Sequence, residues 1–304
     1  MLESPRPRHG EKAIQGLLAL CALLSVLTTT AIVLSLLGPT IGFFQFVPAG
    51  EFFFGVDWTP QFEPPSYGVL AIVAGTVSVA LWGALFAIPV GLGAAVYLSE
   101  YAPPRVRKTV KPVLEILAGI PTVAIGFFAA SFILPSVVQP LWPGDLHGGA
   151  EKPFMALAAA LGVGLMMVPI IASISEDAMA AVPHGLRQGA YAMGATRMKV
   201  ATRVVFPAAL SGIVASVVLA ISRAAGETMV VLLAAGNTPN FTLWPNEAVQ
   251  TITAYIATTA TGDIATGTPE YDTVFAAGFV LFALTLAMNL MSIRLVRRYR
   301  EVYE

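Results

Sequence analysis

Apolar residues run through this chain in six long stretches, and one polar stretch interrupts them between the fourth and the fifth. The apolar stretches cover about 14–37, 69–98, 113–138, 155–174, 208–235 and 273–293, each long enough to cross a hydrocarbon core as a helix. The second is long enough to tilt. Pro89, Pro121 and Pro169 lie inside them. Lipid tolerates such prolines where neighbouring helices re-satisfy the freed carbonyls, so these segments read as kinked, packed helices. The polar stretch, Ser175 to Leu210, is SEDAMAAVPHGLRQGAYAMGATRMKVATRVVFPAAL. It is too polar to span and too well patterned for a slack linker. Pro183 and Gly185 break the chain, RQGAYAM forms a short helix, and Gly194 ends it. TRMKVATRVVF forms a second helix, and Pro207 marks the entry to the fifth span.

Composition agrees with a polytopic membrane protein. Of 304 residues, 56% are hydrophobic and 12% charged, about half the charge of a soluble domain. Residues 1–13 are polar, and the apolar run from Ile14 to Leu37 is too long for a signal-peptide core, so an uncleaved first span is expected. Cys21 is the single cysteine and reads as an apolar packing residue.

Charge placement orients the chain. Arg6, Arg8 and Lys12, then Arg105, Arg107, Lys108 and Lys111, then Arg187, Arg197, Lys199 and Arg203, then Arg294, Arg297, Arg298 and Arg300 all fall on one side of six spans. The positive-inside rule makes that side cytoplasmic and puts both termini there. The opposite loops hold Lys152 against Glu51, Asp57, Glu63, Asp145, Glu151, Glu247, Asp263, Glu270 and Asp272. The outer loop 38–68 carries FFFGVDWTPQFEPP, which suits an interfacial aromatic belt and a docking surface equally well.

Arg223 and Glu227 carry charge inside the fifth span, in VVLAISRAAGETMVVLLAAG. Four apart on a helix, they share a face and can pair. Intramembrane charges are costly and face a bundle interior or an aqueous path. One reading is a neutralised pair that aids packing. The other is an arginine that meets a crossing oxyanion through its planar, permanently charged fork, with the glutamate orienting it. Gly226 beside them permits close helix approach or a local distortion. Thr228, Ser222 and Asn237 are further possible donors, and Glu115 is placed to pair with Lys111. The chain has no Gly-Lys dipeptide and so no P-loop. His9, His147 and His184 are scattered, which argues against a metal site, and no catalytic triad or carboxylate pair is visible. An enzyme, a cofactor and a nucleic-acid partner are not expected; membrane lipid is.

The polar loop resembles the EAA motif of ABC importer permeases: Glu-Ala-Ala, three residues, Gly, nine residues, Ile, one residue, Leu-Pro. Gln188-Gly189-Ala190 stands for Glu-Ala-Ala, Gly194 for Gly, Val204 for Ile, and Phe206-Pro207 for Leu-Pro. Over most of its length, from about Phe52 onward, the chain is similar to phosphate-specific permeases. YLSEYAPPRVRKTVKPVLEILAGIPTVAIGFF, GAYAMGATRMKVATRVVFPAALSGI and SRAAGETMVVLLAAGN carry that likeness, and the last resembles the PstC rather than the PstA subunit. The resemblance implies an all-α integral membrane protein with the type I ABC importer permease fold. Its parts are an inner tail 1–13, a first span and outer loop 14–68, a core 69–293 containing the coupling loop 175–207, and a tail 294–304. It implies a PstA-like permease partner in a heterodimer, a dimeric ABC ATPase, an extracytoplasmic phosphate-binding protein and inorganic phosphate as cargo, in a bacterial or archaeal plasma membrane. Arg223, Glu227 and Thr228 would line the substrate path; Arg187, Gln188, Ala190, Gly194, Arg197 and Pro207 would couple to the ATPase. Gln188 departs from the motif's Glu and offers only neutral hydrogen bonds there. The alternatives are a permease for molybdate, tungstate or sulfate, and a non-transporting scaffold that recruits a cytoplasmic protein.

Overall fold

The computed structural model describes residues 9–141, 153–262 and 267–299. Arg6, Arg8, Asp145, His147, Glu151, Lys152, Asp263 and Arg300, with the side chains of His9, Arg297 and Arg298, lie outside the described residues. Helix α1 (His9–Phe46) is apolar on every side and exposed along most of its length. A helix of that kind needs lipid or a partner as its solvent. Short α2 (Ala49–Phe54) and the loop after it fold back on α1. Phe43, Phe52, Trp58 and Tyr255 meet edge-on in a chain of rings with centroids 4.9–6.2 Å apart. The outer aromatic segment therefore divides: Phe52 and Trp58 are core, while Phe54 and Phe62 are exposed.

Helix α3 (Leu70–Val96) continues as a π-helical turn, Tyr97–Tyr101. It then gives way to α4 (Pro104–Leu117), which the hydropathy reading had merged with the third span. Helix α4 is amphipathic, has no buried residue and ends in the break Ala118–Pro121. The crossing starts only at α5 (Thr122–Phe128), runs through a π-helical stretch Ala129–Val138, and ends in α6 (Gln139–Leu141). The apolar tally from Val113 misled because it counted the greasy face of a helix whose other face carries Arg107, Lys108 and Lys111. Pro121, expected as a kink, is the N-cap of α5.

Helix α7 (Ala156–Ala180) runs parallel to α3 and forms the centre of the bundle with it. Their seam is built from small residues: Gly83, Ala87 and Gly91 face Ala160, Gly164 and Ile171. A methyl group on Gly164 would stand 2.8 Å from Phe86 and 3.0 Å from the Gly83 carbonyl, so the backbones touch as only glycine allows. Helix α7 also runs beyond its expected end near residue 174. Ser175 bonds Ser216 at 2.7 Å, and the buried Glu176 carboxylate is ion-paired with Lys111 and Arg107.

The polar segment then forms α8 (His184–Ala192), α9 (Arg197–Val200), a π-helical turn Ala201–Val205 and α10 (Phe206–Ala208). A 72° bend leads into α11 (Leu210–Ala225). Helix α12 (Met229–Ala234) follows after a break at residues 226–228, so the expected fifth span is not one helix. An irregular segment leads to α13 (Ile252–Ala260), and α14 (Pro269–Tyr299) closes the fold against α1 and α11. Among the described residues five helices are long and apolar enough to cross a membrane, or six if the bent pair is one span.

Candidate functional site

The first site lies at the break between α11 and α12. Helix α11 stops at Ala225, and Gly226 and Glu227 close its last turn through Gly226 N–H to Arg223 O and Glu227 N–H to Ala224 O. The Glu227 carboxylate then turns forward and accepts from the Met229 N–H at 3.2 Å, satisfying an orphan donor at the start of α12. Its backbone carbonyl accepts from Thr253 Oγ1 of α13 at 2.6 Å. The expected same-face ion pair with Arg223 is therefore not made. The spacing of four yields a pair only on a continuous helix, and this one breaks between the two residues.

Arg223 occupies the last turn of α11, where the helix dipole favours a cation. With Ala224 and Glu227 it borders a narrow cleft against Val163, Met166, Met167 and Ile170, half-way along α7. Its guanidinium is exposed and has no hydrogen bond or ion pair among the described residues. Thr228 is half-buried and reaches only the Gly226 carbonyl, at 3.5 Å. Ser222 is turned to Asn289 of α14, and Asn237 to Gln250. A helix that breaks at membrane depth leaves backbone groups that only protein or an aqueous cavity can serve. The outer continuation has the same character. Leu243 O accepts from Ser78 and Trp82, and the carbonyls of Pro245 and Glu247 cap the first N–H groups of α7. No hydropathy signal announces this irregular segment, because its partners are on other helices.

The second site is the elbow α8–α10. Gly194 has φ +79°, and the bonds Gly194 N–H to Tyr191 O and Ala195 N–H to Ala190 O form a Schellman turn. The helix end expected at Gly194 is thus a fixed corner. Thr196 caps α9 through the Lys199 N–H. Ala190 is half-buried and packs with Ala195 against the cluster that holds Val200 and Val205. Gln188 is exposed, Met193 is 88% exposed, and Leu186, Tyr191 and Met198 are exposed around them. Pro207 is exposed in the first turn of α10.

Arg187 turns inward from that face, and Arg197, though exposed, lies against Tyr101. Arg187 donates to Glu100 Oε1 at 2.9 Å, to Met179 O at 2.8 Å and to Val182 O. The Arg197 guanidinium lies 5.7 Å from the centre of the Tyr101 ring. On the other flank, Lys111 of α4 bonds Glu176 at 2.9 Å and also Asp177, and Arg107 meets the second oxygen of Glu176. Lys111 is thereby taken from its expected partner, Glu115. Burial pulls the Lys111 ammonium down, but hydrogen bonds to Asp177 and Glu176 outweigh it and hold the group above its ordinary value of 10.5. Glu100, Tyr101, Glu176 and Asp177 are the neighbours of these cations that sequence reasoning missed. The cue available was an acid at the inner end of each of two apolar helices.

The chain matches the family described as binding-protein-dependent transport system inner membrane component over residues 87–301, and it belongs to that family. It is a membrane permease subunit of an ABC importer, all-helical and with the type I fold. A curated relative, the probable ABC transporter permease protein YqgH of Bacillus subtilis, is 35% identical over 91% of this chain and 86% of its own. The phosphate transport system permease protein PstC of Xylella fastidiosa (strain 9a5c) is 32% identical over 82% of this chain and 80% of its own. Among solved structures, a bacterial alginate ABC transporter in complex with its alginate pentasaccharide-bound periplasmic protein aligns with TM-score 0.64 and 20% identity. It covers 96% of this chain and 98% of that one.

Proposed function

We propose that this chain is the PstC-like permease subunit of an ATP-driven phosphate importer. The observation that carries the reading is Arg223: exposed and without a partner among the described residues, half-way along the central helix α7, where the fifth span breaks. Phosphate suits it, because the arginine fork gives a tetrahedral oxyanion two charge-assisted hydrogen bonds. The names of the PstC relatives support the same cargo. Glu227 and Thr228 shape the break beside Arg223, and the Glu227 carboxylate keeps that break in place rather than neutralising the arginine.

The chain pairs with a PstA-like permease, stands on a dimeric ATPase through α8–α10, and receives cargo from an extracytoplasmic binding protein, with both termini inside. Gln188, Tyr191 and Met193 form the face offered to the ATPase. ATP binding closes the ATPase, the elbow moves with it, and the bundle opens outward so that phosphate reaches Arg223. The deciding experiment is uptake of labelled phosphate by Arg223→Ala at matched membrane levels; wild-type uptake would remove Arg223 from the path. Competition by molybdate, tungstate or sulfate at equal concentration, stronger than that by phosphate itself, would reassign the cargo.

A further inference from the structure

Two helices of the elbow, α8 and α9, are latched to two adjacent residues at the inner end of α3. Arg187 of α8 pairs with Glu100, and Arg197 of α9 lies over Tyr101, within the π-helical turn that ends that span. Glu100 is only 4% exposed and Arg187 12%. Ser99 adds a hydrogen bond to the same carboxylate oxygen at 3.0 Å. The other two acceptors of Arg187 are carbonyls at the end of α7 and just beyond it, Met179 and Val182. One guanidinium thus joins α8 to both members of the α3–α7 pair, which is itself fused along its glycine and alanine seam. Pulling α8 away would strand a buried carboxylate, a costly state. The junction between the elbow and α11 is different. It consists of a π-helical turn, Pro207 and the 72° bend, and among the described residues no ion pair spans it.

We infer that the Arg187–Glu100 pair is a lock that makes the elbow and the α3–α7 pair move as one body. A push on the elbow is then taken up at the bend before α11 and swings that helix, with Arg223 at its far end, relative to α7. Arg187 is a positioning residue rather than a contact for the ATPase. This inference rests on the transport reading above.

The test uses the full complex with its partner permease and ATPase in proteoliposomes, and reads phosphate moved per ATP hydrolysed. Arg187→Met leaves Glu100 buried and unpaired, and less complex assembles. The double variant Arg187→Met with Glu100→Gln removes both charges and recovers assembly. It is expected to hydrolyse ATP at the wild-type rate while moving about tenfold less phosphate per ATP, the scale of an ordinary coupling free energy. A purely structural pair predicts the opposite, a wild-type ratio once assembly is recovered, and that result overturns the lock. Should the double variant not assemble, Arg187→Gln with Glu100→Gln, which replaces the ion pair by neutral amides, is read instead, and a wild-type ratio there also overturns the lock. A wild-type complex that hydrolyses ATP but moves no phosphate overturns the transport reading itself, and the lock with it. The two failures are distinct, because only the first occurs in a complex that transports.

Discussion

At the inner end of the bundle Arg187 is enclosed by one carboxylate and two carbonyls, whereas half-way along α7 Arg223 has no partner among the described residues. The two side chains are chemically identical, and both follow from a local helix. The difference lies in what surrounds them. Arg187 lies where two long helices end, and helix ends expose carbonyls that need donors. Arg223 lies at the end of a helix that breaks, and the acid one turn on, Glu227, is already bonded to the next helix's N–H groups. A partnered arginine fixes architecture; one left without a partner is available to an anion.

The comparison can be broken at several points. The largest effect belongs to Arg187→Met, which orphans Glu100. It should destabilise the solubilised chain by about 3–5 kcal/mol, read as a lowered thermal aggregation midpoint in detergent. Arg223→Ala should leave that midpoint unchanged while lowering phosphate uptake roughly a hundredfold, the loss of about 3 kcal/mol of charged hydrogen bonding. If the two variants exchanged these phenotypes, the assignment of one arginine to structure and the other to cargo would be wrong. Next comes Gly194→Ala, which forces a Cβ into the left-handed region and should cost about 1–2 kcal/mol. Protease sensitivity confined to the elbow would show it, with uptake falling in parallel.

The smallest effect concerns Lys111. Its folded value is raised, so the stability it contributes is fully present below the unfolded value of 10.5 and is lost as the pH rises through the folded one. A pH titration of thermal stability should therefore show no step from Lys111 across the neutral range. Lys111→Met should remove an alkaline loss of stability that the wild type shows. A Lys111-dependent step near neutral pH would contradict the ion-paired geometry.

Some of this was legible in the residues and some was not. Gly194 could be read as a helix stop because a Schellman corner is local: its donors, acceptors and positive φ lie within a few residues. The apolar runs were legible for a similar reason, since transfer into lipid is close to a sum over residues. The third span was misplaced because α4 has apolar residues on one face only, and a tally without periodicity cannot separate lying along an interface from crossing it. The Arg223–Glu227 pair requires a continuous helix, and spacing alone does not decide between that and the distortion Gly226 permits, which is the outcome here. The exposed position of Gln188 shows that the substituted motif residue is on the face open to a partner, which spacing alone did not decide.

The sequence by itself determined that the chain is a bundle of membrane helices, which stretch is the elbow, where its corner falls and which residues carry charge into the membrane. Each of these depends on hydropathy and short-range backbone preference, and neither needs a distant partner. Only the tertiary structure decided where the charges point. Arg187 finds its acid 87 residues away, and Lys111 finds its acids 65 and 66 residues away rather than one turn along its own helix. A long, flexible side chain goes to whichever oxygens the packed helices bring within reach, and helix packing is the part of folding that no local pattern encodes.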